Sequence, residues 1–198
     1  CEDYPICQFM RDEKIASIYE GANGIQSLDL VGRKLGMKKG AYFMALLTEM
    51  SSAIALYKDA LPDLAADFQE AVNALGEVGM FFAQCGKEGK FFVPIANSYP
   101  FLMMMGKVVC AWILLWQAGI AKEKIDCLAK SAGADPGDAA AWASFIKENR
   151  DAAFYTGKLS SAKYFIKNVL PEVYSAVRAI KSEDISAVEI PEESFASS

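Results

Sequence analysis

The chain has no histidine among its 198 residues. That absence removes Ser-His and Cys-His nucleophile pairs and every metal site built on imidazole. Proton transfer falls instead to Asp, Glu, Lys, Tyr or Cys. Basic residues are in deficit: 20 Lys and Arg stand against 25 Asp and Glu, a net charge of -5. No basic surface is left to neutralise a run of phosphates, so nucleic acid is excluded as the main partner. No Cys-x-x-Cys pair occurs among the five cysteines, Cys1, Cys7, Cys85, Cys110 and Cys127. An odd, unpaired set argues against a disulfide framework and against zinc, and a cytoplasmic location is expected. Strand-type alternation is nearly absent. The opening Cys1-Glu2-Asp3-Tyr4-Pro5 lacks both the basic and the apolar region of a secretory leader. It reads as the cut edge of a longer protein.

What is present is apolar mass at helical spacing. With 53% hydrophobic residues the chain can supply a substantial core. The fold class expected is all-α: an up-and-down bundle of four or more helices preceded by a short helical segment. Phe43, Leu46, Leu47, Met50, Ile54 and Tyr57 fall on one helical face, and Leu64, Phe68, Val72, Leu75, Val78 and Phe82 on the next, with a break at Leu61-Pro62. A further helix is expected from near Phe101 past Lys124. Asp135-Pro136 reads as an N-cap and first turn for a helix reaching about Asn149. A last helix over 158–181 is expected to kink at Pro171. The segment 101–121 is long enough to cross a membrane, but burial as a central helix covered on most sides is the reading favoured. The acidic tail 182–198 is expected to be mobile or loosely docked.

The stretch 4–26 carries the chemistry. Ile15, Ile18 and Tyr19 make an apolar stripe on a short helix that Gly21 and Gly24 should end, leaving Glu20 at a helix end beside an apolar wall. A carboxylate there loses hydration, and its pKa rises toward the range useful to a base. Asn23 and Gln26 have the spacing of a capping box for a helix carrying Ile25, Leu28, Val31 and Leu35. Arg11 and Asp12 are read as a structural charge pair without a catalytic role.

In order and spacing, Tyr4-Pro5, Met10-Arg11-Asp12, Ile18-Tyr19-Glu20-Gly21 and Ile25-Gln26 resemble the late signature of the acyl-CoA dehydrogenase family. The close match spans about 4–35. The resemblance implies α,β-dehydrogenation of an acyl-CoA thioester, with Glu20 as the catalytic base. It implies that Gly21 lies against substrate and that Ala22, Asn23 and Gly24 border FAD. The family commonly has Thr where Ala22 stands and often Gln where Gly24 stands, so only backbone contacts to flavin are implied there. A Glu at position 20 favours the branch of the family that uses this site. Phe154-Tyr155-Thr156-Gly157-Lys158-Leu159 and Leu170-Pro171 resemble the extra C-terminal helical domain of long bacterial members, including enzymes similar to 3-methylthiopropanoyl-CoA dehydrogenases.

The expected organisation is therefore 1–36 as the end of a catalytic helical domain, 37–181 as a C-terminal bundle and 182–198 as a tail. By the resemblance, the partners would be acyl-CoA, an electron-transfer flavoprotein or similar acceptor, and further copies of the chain in a homo-oligomer. FAD would belong to the full-length protein and be absent from this chain alone, which would be inactive. The alternative is a helical association module for oligomerisation or for docking to a membrane or an electron acceptor.

Overall fold

The computed structural model describes residues 6–18 and 22–195, and every regular element among them is helical. Helix α1 is Ile6–Ile18 and α2 is Ala22–Asp29, which runs on through a wider, π-type turn at Leu30–Lys34. A tight turn at Met37–Gly40 leads into α3, Ala41–Tyr57, and then α4, Pro62–Lys87, with Pro62 in its first turn. The short α5, Phe92–Ala96, precedes the long α6, Ser98–Ala132. After α7, Ala139–Glu148, come α8, Arg150–Tyr164, a second π-type turn at Phe165–Val169, α9, Glu172–Ile180, and α10, Ser186–Glu189.

Four rods, α3, α4, α6 and α8 with α9, pack as an up-and-down bundle. Phe43 of α3 meets Gly79 of α4, and Leu47 meets Gly76, so these two helices run antiparallel. The Phe82 and Phe101 rings, 5.2 Å apart, join the end of α4 to the start of α6. Exposed ion pairs link the last rod back to the others: Lys167 to Asp67 at 2.6 Å, Lys181 to Glu77, and Lys107 to Glu172. Such pairs fix register more than stability, at about 0–1 kcal/mol each. The energy sits in the core, where Met50, Phe68, Leu75, Phe101, Met104 and Leu115 are fully enclosed, each worth roughly 1.5–3 kcal/mol relative to exposure. A smaller cluster of Phe145, Ala129 and Ala152, with Trp142 against it, closes the far end of α6.

Close helix approach depends on two glycines. A Cβ on Gly79 would stand 2.5 Å from the Phe43 ring, and one on Gly119 would stand 2.1 Å from the Tyr57 ring. Tyr57 is thereby enclosed between α3 and α6, and its hydroxyl pKa is raised by burial and, to a lesser degree, by the Glu123 carboxylate. The neutral phenol is the form the fold accepts. Its stabilising contribution is complete below the unfolded value of about 10 and is lost as pH climbs through the higher folded value. Unfolding free energy should therefore fall as pH rises above about 10, and Tyr57→Phe should flatten that slope in denaturant titrations across this range.

Several sequence expectations are revised by the structure. Asp138, not Asp135, caps α7, accepting from the amides of Ala140 and Ala141, while Asp135 closes its own turn by accepting from the Gly137 amide. The last rod starts at Arg150, where the Asn149 side chain caps it, rather than at Lys158. Pro171 does not kink a continuous helix: it follows the second π-type turn and precedes α9. Arg11 and Asp12 do not pair with each other, since both hydrogen-bond the amide of Gln8, at 2.7 Å each. Helix α6 is long and apolar enough to cross a membrane; α2, α3, α4, α8 and α9 pack along it, as expected of a central helix, and one strip of it stays exposed.

The corner before α3 is conformationally costly. Lys38, Lys39 and Gly40 are successively left-handed, with φ of 48°, 60° and 84°. For the two lysines this is an expense of about 1–2 kcal/mol each.

Candidate functional site

The junction of α1 and α2 is where the sequence places the chemistry. Helix α1 is described to Ile18 and α2 from Ala22. Glu20 and Gly21, the expected base and substrate contact, lie outside the described residues. Ala22, Asn23 and Gly24, the expected flavin border, form the first turn of α2.

That turn differs from the capping arrangement expected. Asn23 is already inside the helix, so it is not the N-cap, and Gly24 lies within α2 instead of ending a helix. Both are exposed. Among the described residues, a Cβ built on Gly24 would meet nothing within 4 Å. The amides of a helix's first turn have no partner inside the helix, and they carry its positive end. Amides in such a turn donate to a polar or anionic edge without using side chains.

The sequence reading missed the anchor for this turn. Ser27, one turn further along α2, is 1% exposed and donates its hydroxyl hydrogen to the Gly24 carbonyl at 2.8 Å. With that one hydrogen committed, the 3.2 Å contact between the Ser27 and Ser98 hydroxyls must be donated by Ser98. Ser98 opens α6, and the preceding Asn97 donates from its side chain to the Val93 carbonyl at 2.9 Å. Ser27, Asn97 and Ser98 are the buried polar residues among those described, and none is left unpaired. The Ser27–Ser98 contact fastens α2 to the start of α6. The available signal was a serine between Ile25 and Leu28 in an apolar stretch. Ser27→Ala should cost about 1 kcal/mol by leaving the Ser98 hydroxyl short of a partner. Parallel denaturation of Ser27→Ala, Ser98→Ala and the double variant checks this, with the double variant losing less than the sum.

The outer surface of this region is unusually apolar. Ile6, Phe9, Met10 and Ile15 on α1, and Ile25 and Leu28 on α2, are all exposed. The expected stripe of Ile25, Leu28, Val31 and Leu35 divides: Val31 and Leu35 pack on the bundle core, while Ile25 and Leu28 face away. Further along, Asp29 binds Arg33 through two contacts, 2.6 and 3.0 Å. This Arg33 interaction, helped by Lys34, holds the Asp29 carboxyl below the usual carboxylate range. Beside the left-handed corner, Leu35, Phe43, Met44, Gly79 and Met80 surround an apolar cavity of about 230 Å³.

Comparison with known proteins gives consistent results. The family described as "Acetyl-CoA dehydrogenase C-terminal like" matches residues 46–191. A butyryl-CoA dehydrogenase of Syntrophomonas wolfei is 33% identical over 98% of this chain and 29% of its own length. The broad-specificity linear acyl-CoA dehydrogenase FadE5 of Mycobacterium tuberculosis is 30% identical over 98% of the chain and 30% of its own length. A 3-methylmercaptopropionyl-CoA dehydrogenase of Ruegeria pomeroyi is 29% identical over 86% of the chain and 26% of its own length. The chain thus spans less than a third of the length of each of these relatives.

Proposed function

Since the chain belongs to the acyl-CoA dehydrogenase family and matches its C-terminal helical region, we propose that it serves, as part of a longer flavoenzyme, in α,β-dehydrogenation of an acyl-CoA thioester. The observation that carries this reading is the Ile18-Tyr19-Glu20-Gly21 signature at the α1–α2 junction, followed by an open helical turn fastened to the bundle.

In this mechanism the Glu20 carboxylate accepts the proton from the α-carbon. The released electron pair forms the α,β double bond as the β-hydrogen departs with its own pair. FAD, when bound, supplies the acceptor for that hydride. The Glu20 backbone N–H donates to the thioester carbonyl oxygen, where charge develops, a contribution of roughly 3 kcal/mol for a well-placed donor. Gly21 leaves room for substrate against the backbone. Ala22, Asn23 and Gly24 would border the flavin through main-chain groups. The Ser27–Ser98 contact keeps this turn in position on α6, a positioning role and not a chemical one.

Supply of saturated acyl-CoAs, short to long, to the whole flavoprotein without oxygen should bleach its flavin absorbance and yield the 2-enoyl-CoA. Failure with every chain length would remove this assignment. The 198-residue chain by itself should retain no flavin on purification and turn over no acyl-CoA with an electron acceptor. Yellow protein from this chain alone would show that the cofactor site is more complete here than proposed.

A further inference from the structure

The cavity at the corner between α2 and α3 has no part in the catalytic reading. It holds about 230 Å³ between the start of α3 and the second half of α4, and none of its lining residues belongs to the 18–24 segment. Phe43 and Phe82, both buried, and Leu35 give it an apolar interior, and the exposed Met44 and Met80 stand at its edge. Methionine is unbranched and adapts its shape, which suits walls that close on a flexible guest. A dry apolar cavity of about 150 Å³ takes a benzene-sized guest, whereas drug-sized ligands need roughly 300–1,000 Å³. This cavity lies between the two, with room for an aliphatic tail and too little for a nucleotide.

Charge supplies the other half of the match. Among the described residues Lys39 is the one titratable side chain that lines the cavity. Arg33, Lys34, Lys38 and Lys39 fall between residues 30 and 48 with no carboxylate among them. Asp29 occupies Arg33 and Lys34, but among the described residues no carboxylate forms an ion pair with Lys38 or Lys39. In a chain whose net charge is -5, this corner is left positive. Lys39 is also held at a φ of 60°, and backbone strain of that kind collects at ligand clamps. Gly40 lines the cavity too and precedes α3 without any side-chain cap, so the positive end of that helix opens on the same mouth.

We propose that this cavity binds a free aliphatic carboxylate, with its tail among Phe43, Phe82, Met44 and Met80 and its head on the Lys39 ammonium. An uncharged amphiphile would leave the lysine unanswered, and a cationic head would be repelled by it. The thioester of a coenzyme A conjugate carries no charge beside its tail, so it lacks the group that meets Lys39. A membrane presents many heads to a flat face and leaves a concave site unfilled. The tail supplies most of the affinity, because an exposed ion pair adds little.

Methionine methyl signals locate the guest directly. The probe is decanoate, below its micelle concentration, added to the whole flavoprotein carrying ¹³C at its methionine methyls. The Met44 and Met80 signals, assigned through Met44→Leu and Met80→Leu, should shift and saturate together. Along hexanoate, octanoate and decanoate the affinity should rise by up to about fourfold per methylene until the cavity is full. Lys39→Gln should weaken decanoate by about three- to fivefold, Lys39→Arg should retain it, and decylamine should bind more weakly than decanoate by at least the same factor. Ala83→Trp, which fills the cavity from an exposed position of its lining, should abolish the shifts and leave acyl-CoA turnover unchanged. Absence of any shift with the three carboxylates, equal binding of decylamine and decanoate, or shifts that persist in Ala83→Trp would each overturn the proposal. So would tighter binding of decanoyl-CoA than of decanoate at these methyls, or shifts produced only by phosphatidylserine vesicles.

Discussion

Replacing Glu20 with glutamine in the whole flavoprotein should lower acyl-CoA oxidation by on the order of 10²- to 10⁴-fold and leave flavin content unchanged, the usual scale for loss of a general base. Glutamine keeps the length and shape of the side chain and loses only its capacity to take a proton. Binding of substrate should survive, so the loss appears in kcat and equally in kcat/KM. Incubation of the variant with acyl-CoA in deuterated water should also show no wash-in of deuterium at the α-carbon. A Glu20→Gln protein that oxidises substrate at the parent rate would move the base to another helix. Aspartate at the same place should rank between the two, because its carboxylate is retained but drawn back by one methylene.

The second large effect concerns stability. Gly119→Ala should destabilise the fold by about 2–3 kcal/mol, the cost of inserting a methyl into a packed contact. Alanine is better than glycine within a helix by up to about 1 kcal/mol, so a loss of that size means the clash outweighs the propensity gain. The clash is specific: the new Cβ would stand 2.1 Å from a Tyr57 ring atom, and both α3 and α6 are tied into the core beyond it. Gly79→Ala should act in the same direction through Phe43, whose ring would lie 2.5 Å away. Gly157 in α8, where an added Cβ meets nothing within 4 Å, supplies the comparison: its replacement by alanine should stabilise by about 0.5–1 kcal/mol. Urea denaturation of the three variants separates these outcomes. Shortening the ring, as in Tyr57→Leu, should recover most of the Gly119→Ala loss, and absence of any recovery would mean the two residues are not coupled.

Helices α3 and α4 were legible because large apolar residues carry their contacts. All six residues assigned to the α4 face are buried, and the α3 face is buried at Phe43, Met50, Ile54 and Tyr57. Helix α8 began eight residues earlier than expected because its buried positions are Ala152 and Ala162, small residues that leave no bulky stripe to read. Asp135 was mistaken for the cap of α7 because an aspartate before a proline fits either a turn or a helix start. What decided was the backbone that followed, where Asp138 reaches the first free amides. The apolar content of α6 forecast a central helix, and five others pack along it, but composition does not say which strip stays exposed. For the proposed site the sequence offers the motif around Glu20, which lies outside the described residues, whereas Ser27 and Ser98, separated by 71 residues, could be joined only by the fold.

The left-handed corner at Lys38, Lys39 and Gly40 gives the protein a fixed elbow between its chemical end and its bundle. A loop of ordinary right-handed turns could swivel, but here two lysines are held on the disfavoured side of the backbone map, and the packing around them must keep them there. Movement at the start of α2 would therefore reach the bundle as a push on α6, not as play in the joint. Lengthening the elbow by a single residue would re-aim every rod that follows it.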